Sequence, residues 1–119
     1  MKSYTNIEQS KKLAEILPID SADMNYATWT ILENGEFIVS PNRGNTIKEL
    51  QEDYGIQIIP CWSLAALLSV IPNVSINEFE DNKWYVMIIH NGKMIYGDKD
   101  NPIDACYELM LKLHEEKLL

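Results

Sequence analysis

Two Asn-Gly dipeptides, Asn34-Gly35 and Asn91-Gly92, each stand between runs rich in Trp, Tyr, Ile, Val and Met. Asn-Gly supplies the two positive φ angles of a type I′ turn, the connection whose twist matches that of paired antiparallel strands. The chain is therefore expected to form two β-hairpins, at about residues 26–39 and 84–97. Within the second, Trp84 to Ile89 is apolar at both alternating sets of positions. A strand of that kind is covered on both sides or lies centrally in its sheet, so this segment is expected to be a central strand. The two-residue turn also sets the register, placing His90 opposite Lys93 and Asp98 opposite Tyr85.

Helical signals fill the intervals between the hairpins. Thr5-x-x-Glu8 and Thr46-x-x-Glu49 have capping-box spacing, and Pro18 and Gly55 suit the ends of the helices they would open. Pro60 to Pro72 is a bounded apolar stretch, Pro-Cys-Trp-Ser-Leu-Ala-Ala-Leu-Leu-Ser-Val-Ile-Pro, which reads as a helix opening at Cys61. Before it, Ile56 to Ile59 reads as a brief strand. After it, the acidic and polar segment 72–82 reads as a surface loop in which Ser75-x-x-Glu78 suggests one helical turn. Asn101, Pro102 and Asp104 mark the best-defined helix start, and Ile103, Cys106, Tyr107, Met110 and Leu113 form the apolar stripe behind it. The expected fold is a single α+β domain over residues 1–119. Its antiparallel hairpins are packed by helices at about 6–17, 47–54, 61–71 and 102–117.

Eighteen acidic residues against ten basic ones give a formal net charge of -8, which opposes direct binding to nucleic-acid phosphates or anionic membranes. The one adjacent basic pair, Lys11-Lys12, sits between Glu8 and Glu15 on a predicted helix, where i,i+4 pairing accounts for it. No apolar run is long enough to span a bilayer, and the first residues lack the apolar core of a signal peptide. A cytoplasmic location follows as an expectation. Two cysteines far apart, outside any C-x-x-C pair, fit a reducing compartment.

Four constellations carry possible chemistry. Cys61 at a helix N-terminus, followed by His90 and Asp98, has the order of a papain-type cysteine hydrolase, with His114 as another candidate base. The hairpin register opposes it, because His90 is carried to the turn while Asp98 lies far along the strand. At roughly 3.3 Å per residue the two are well beyond hydrogen-bond reach. Cys61, Cys106, His90 and His114 lack the short spacing of metal ligands, so no metal or cofactor is expected. The carboxylate runs Glu78/Glu80/Asp81 and Asp98/Asp100/Asp104 do not match a calcium loop. Trp29 and Trp84 are read as core, whereas Trp62, in the first turn of a helix beside Pro60, is read as half-exposed and a candidate interaction residue.

Three blocks, Ser10-Lys11-Lys12-Leu13-Ala14-Glu15-Ile16-Leu17-Pro18 with Ser21-Ala22-Asp23-Met24, Pro60 to Leu68, and Asp100 to Glu108, together resemble small acidic proteins of bacterial phage and prophage-like elements. The resemblance brings no catalytic or binding residues with it. It implies an intracellular bacterial setting and an accessory domain that binds protein. The expected function is accordingly a non-enzymatic domain acting through protein contacts or self-association. A Cys61-dependent hydrolase and an acidic inhibitor of a nucleic-acid-binding enzyme are the alternatives.

Overall fold

The computed structural model describes residues 2–28, 37–54, 57–79 and 81–119. Trp29, the Asn34-Gly35 turn, Gly55 and Glu80 lie outside them. The fold is α+β, and its strands form two three-stranded antiparallel sheets. The chain divides into two compact units, Asn6–Ser63 on one hand and Met1–Thr5 with Leu64–Leu119 on the other.

In the Asn6–Ser63 unit, α1 spans Ile7–Leu13. Its capping box sits one residue later than the Thr5/Glu8 spacing suggests. The Gln9 N–H donates to Asn6 Oδ1 at 2.8 Å, and the Asn6 N–H donates back to Gln9 Oε1 at 3.1 Å. Asparagine is a stronger N-cap than threonine, and Thr5 itself is buried. Beyond Leu13 the chain tightens into i→i+3 bonds at Glu15 and Ile16 before a 3-10 turn, Ile19–Ser21.

Three strands follow: β1 Met24–Thr28, β2 Ile38–Pro41 and β3 Gln57–Cys61, in the order β2-β1-β3. Between β2 and β3 lies α2, Ile47–Tyr54, whose Glu49 N–H donates to Thr46 Oγ1 at 3.1 Å as its cap spacing predicts. The register sets Asn25 opposite Ser40 and Pro60, and Ala27 opposite Ile38 and Ile58. Strand alternation therefore puts Asn25, Ala27, Ile38, Ser40 and Ile58 on one face and Tyr26, Val39, Ile59 and Cys61 on the other.

Here the sequence expectation is corrected. Pro60 and Cys61 close β3 instead of opening a helix, and Cys61 pairs with Met24. An edge strand tolerates proline because one set of its N–H groups has no ladder partner to lose.

In the other unit, α3 begins three residues after Cys61 and spans Leu64–Ser69, burying Ala66 and Leu67. The segment read as a loop with a helical turn is instead β4, Ser75–Glu78, paired with β5, Trp84–His90. Ile76 lies opposite Val86, and a short polar strand is what a sheet edge favours. β6, Lys93–Lys99, completes the order β4-β5-β6, so β5 is central as expected. His90 pairs with Lys93 and Tyr85 with Asp98, as the Asn91-Gly92 turn requires.

α4, Pro102–Glu115, starts where predicted. The Asp104 N–H donates to Asn101 Oδ1 at 2.9 Å, and Lys2 Nζ donates to Asp104 Oδ1 at 2.8 Å. Its buried positions are Pro102, Ile103, Ala105, Cys106, Leu109, Met110 and Leu113. They pack against one face of β5 and β6, where Val86, Ile95 and Gly97 point. At Gly97 the helix backbone comes so close that a Cβ would run into the Ala105 carbonyl.

Candidate functional site

The residues singled out for nucleophilic chemistry are not arranged for it. Cys61 is fully buried at the end of a strand, so it has no helix N-terminus to stabilise a thiolate. His90 is exposed at its hairpin end, and Asp98 faces Tyr85, five residues from His90 along β5. At roughly 3.3 Å per residue that separates them by about 16 Å. Cys106 is buried on the inner face of α4, and desolvation pushes its thiol up to about 12. Among the described residues no group of three or more His, Cys, Asp or Glu side chains can hold a metal ion. Neither cysteine is in a disulfide. In native buffer both thiols are expected to react with a thiol reagent only at the rate of unfolding, in contrast to instant labelling in denaturant. Rapid native labelling of Cys61 would overturn its assignment as a core residue.

Trp62, the proposed interaction residue, is also corrected: its exposure is 0%. Its indole Nε1 donates to Ser21 Oγ at 2.9 Å, and that hydroxyl donates to the Pro18 carbonyl. Next to it, Asp23 accepts both the N–H and the hydroxyl of Ser63, which pins the exit from β3. A Trp whose N–H is satisfied inside the fold is a packing element.

Exposed apolar surface lies elsewhere. On the face of the β4-β5-β6 sheet away from α4, alternation presents Tyr85, Met87 and Ile89 from β5 and Met94 and Tyr96 from β6. Ile89 is 74% exposed and Met94 54%. Phe79, also exposed, stacks edge-on against Tyr85 with centroids 4.6 Å apart, and Tyr85 lies 6.2 Å from Tyr96. Lys112 reaches from α4 around the β6 edge, with Nζ 4.9 Å from the Tyr96 ring centroid and donating to the Tyr96 carbonyl at 2.7 Å. One turn earlier Glu108 accepts the Asp98 N–H at 3.4 Å. Glu108 also holds Lys99 at 3.0 Å and Lys112 at 3.2 Å. Burial raises its pKa, but the bonds from Lys99 and Lys112 outweigh this and leave it below its ordinary value. Charges of both signs border the face, with Lys83 4.0 Å from Asp98 and Lys93 2.6 Å from Glu116.

The Asn6–Ser63 unit contains a pocket of about 300 Å³ on the Asn25 face of its sheet. Ala27, Ile38, Ile58 and Leu50 supply apolar walls, and Asn25, Ser40, Asn42, Arg43 and Asn45 supply polar ones. Two of the polar residues are nearly buried, Asn25 at 4% and Asn42 at 6% exposure. Their orientation is fixed by a relay: Asn42 Nδ2 donates to the Ala22 carbonyl at 2.9 Å, so Asn42 Oδ1 is left to accept from Asn25 Nδ2 at 2.8 Å. The adjoining loop is a tight turn in which the Asn45 N–H donates to the Asn42 carbonyl at 3.1 Å. Its central residues, Arg43 and Gly44, have φ of 53° and 85°. Both angles are those of a type I′ turn, easy for Gly44 and strained for Arg43.

No protein-family model matches the chain, and neither a curated protein nor a solved structure matches it. Nothing in the sequence had marked the pocket, because its polar residues converge from β1, β2 and the loop after it. The sheet face is visible in the sequence as alternating Tyr, Met and Ile, a pattern that marks β5 as central without saying whether both of its faces are covered.

Proposed function

We propose that the protein is a non-enzymatic accessory domain, of the phage-like kind its sequence blocks resemble, that works through protein contacts, and that its first partner is a second copy of itself. The observation carrying this is the open face of β5 and β6, where Ile89, Met94, Tyr96 and Phe79 are all exposed. A contiguous apolar surface with a polar border is the usual mark of an association site. The border carries both signs, Lys83 with Asp98 and Lys93 with Glu116. An isologous contact needs that mixture, since each patch must complement itself, whereas a partner selected by charge would meet a field of one sign.

Two copies each carrying -8 repel one another at long range while their apolar faces attract. Sedimentation equilibrium is therefore expected to show a dimer whose association tightens as salt is raised. The paired substitution Ile89→Asp with Met94→Asp should give a folded monomer whose thermal midpoint no longer depends on protein concentration, since both side chains are exposed and only the stabilisation from association is lost. A wild-type chain that stays monomeric at high concentration and high salt overturns the proposal. So does a dimer indifferent to the two substitutions.

A further inference from the structure

We infer that the pocket beside Asn25 and Arg43 is a binding site for a small zwitterion with an apolar side chain, a free amino acid of the leucine or phenylalanine class. The site belongs to the Asn6–Ser63 unit and is independent of the open sheet face of the other unit.

Three features select this ligand. First, the amide relay fixes how Asn25 is turned: one N–H of Nδ2 is spent on Asn42 Oδ1, and the carbonyl oxygen is held on the other side of the amide, free to accept. Among the described residues no buried side-chain nitrogen or oxygen lacks a partner. Asn25 Oδ1 accepts no hydrogen bond from the described residues, so it reaches open space, and the open space that Asn25 lines is the pocket. An acceptor that opens on a pocket from a residue only 4% exposed is placed to take a donor from a ligand, and an ammonium group is the strongest available.

Second, Arg43 is the only arginine in the chain, in a molecule of net charge -8. It stands exposed on the pocket wall and makes no ion pair with any described residue. It is also held at a φ of 53°, where asparagine or glycine would be easier. Its planar fork matches a carboxylate. Strained non-glycine residues concentrate where the side chain is used.

Third, the remaining wall, Ala27, Ile38, Leu50 and Ile58, is aliphatic, and a volume of about 300 Å³ is at the small end of ligand pockets. The carboxylate would sit at Arg43, the ammonium at Asn25 and the side chain on the aliphatic wall.

The test is a titration of the isotope-labelled chain followed by amide NMR, with L-leucine and L-phenylalanine as probes. Saturable shifts are expected at Asn25, Ala27, Ser40 and Asn45. 4-Methylpentanoate, which lacks the ammonium, should bind about tenfold or more weakly, as should isoamylamine, which lacks the carboxylate. Arg43→Asn should raise the unfolding midpoint, because the turn prefers it, while weakening leucine by about tenfold or more. A gain in stability joined to a loss of binding cannot arise from misfolding. No saturable shift with either amino acid, or equal binding by Arg43→Asn, overturns the inference.

Discussion

Gly97→Ala is expected to be among the most damaging single-methyl additions the chain can suffer. A Cβ at Gly97 would collide with the Ala105 carbonyl oxygen and stand 3.0 Å from both Ala105 C and Leu109 N. All three atoms are α4 backbone, so no side-chain rotation relieves the contact and the helix must lift from β6. Overpacking costs about 1–3 kcal/mol where side chains can adjust, and a backbone collision belongs at or above the top of that range. Against a typical domain stability of about 5–15 kcal/mol, this is a large fraction. Urea unfolding followed by circular dichroism should show a lower midpoint with an unchanged slope. Gly92→Ala is the instructive comparison. Its Cβ meets nothing within 4 Å, so its cost comes only from its φ of 77° and should be about 1–2 kcal/mol. Ala105→Gly should not rescue Gly97→Ala, since the obstacle is main chain. Rescue would show that the helix packs differently from the way described.

The second large effect is expected at Trp62. Truncation to alanine removes a fully buried indole and its bond to Ser21, and large aromatic deletions of this kind cost about 3–5 kcal/mol. Trp62→Phe retains most of the volume and loses the Ser21 bond, which should cost about 1–2 kcal/mol. Both variants should leave the salt dependence of self-association unchanged wherever they remain folded. If Trp62→Ala costs under about 1 kcal/mol but disrupts association, Trp62 is a contact residue after all.

Much of the fold was legible where a local rule sufficed. Asn91-Gly92 dictated the pairing of His90 with Lys93 and so carried Asp98 to Tyr85. Asn101, Pro102 and Asp104 announced the start of α4 to the residue. Failures came where a tertiary partner outweighed local pattern. Ser75-x-x-Glu78 looks like a helix start, yet the exposed edge of β5 offered Ile76 a ladder, and backbone pairing prevailed. Pro60 looks like a helix opener, yet β1 claimed it and Cys61 for β3, a pairing across some 35 residues that no local signal announces. Trp62 looked half-exposed because Ser21, which satisfies its N–H, lies 41 positions away. The candidate association site shows the reverse error. Apolar residues on both faces of β5 correctly implied a central strand, but apolarity alone does not distinguish a covered face from one awaiting a partner.

The bonds from Glu108 and Lys112 to β6 have a consequence for stoichiometry. Sheets that polymerise do so by strand addition, and head-to-tail growth needs both the β4 and the β6 margins to accept a new strand. Along β6 the Tyr96 carbonyl and the Asp98 amide are already occupied by one turn of α4. Strand addition is interrupted at the middle of that margin. The same helical turn that buttresses β6 thus also withholds part of its edge from a further strand.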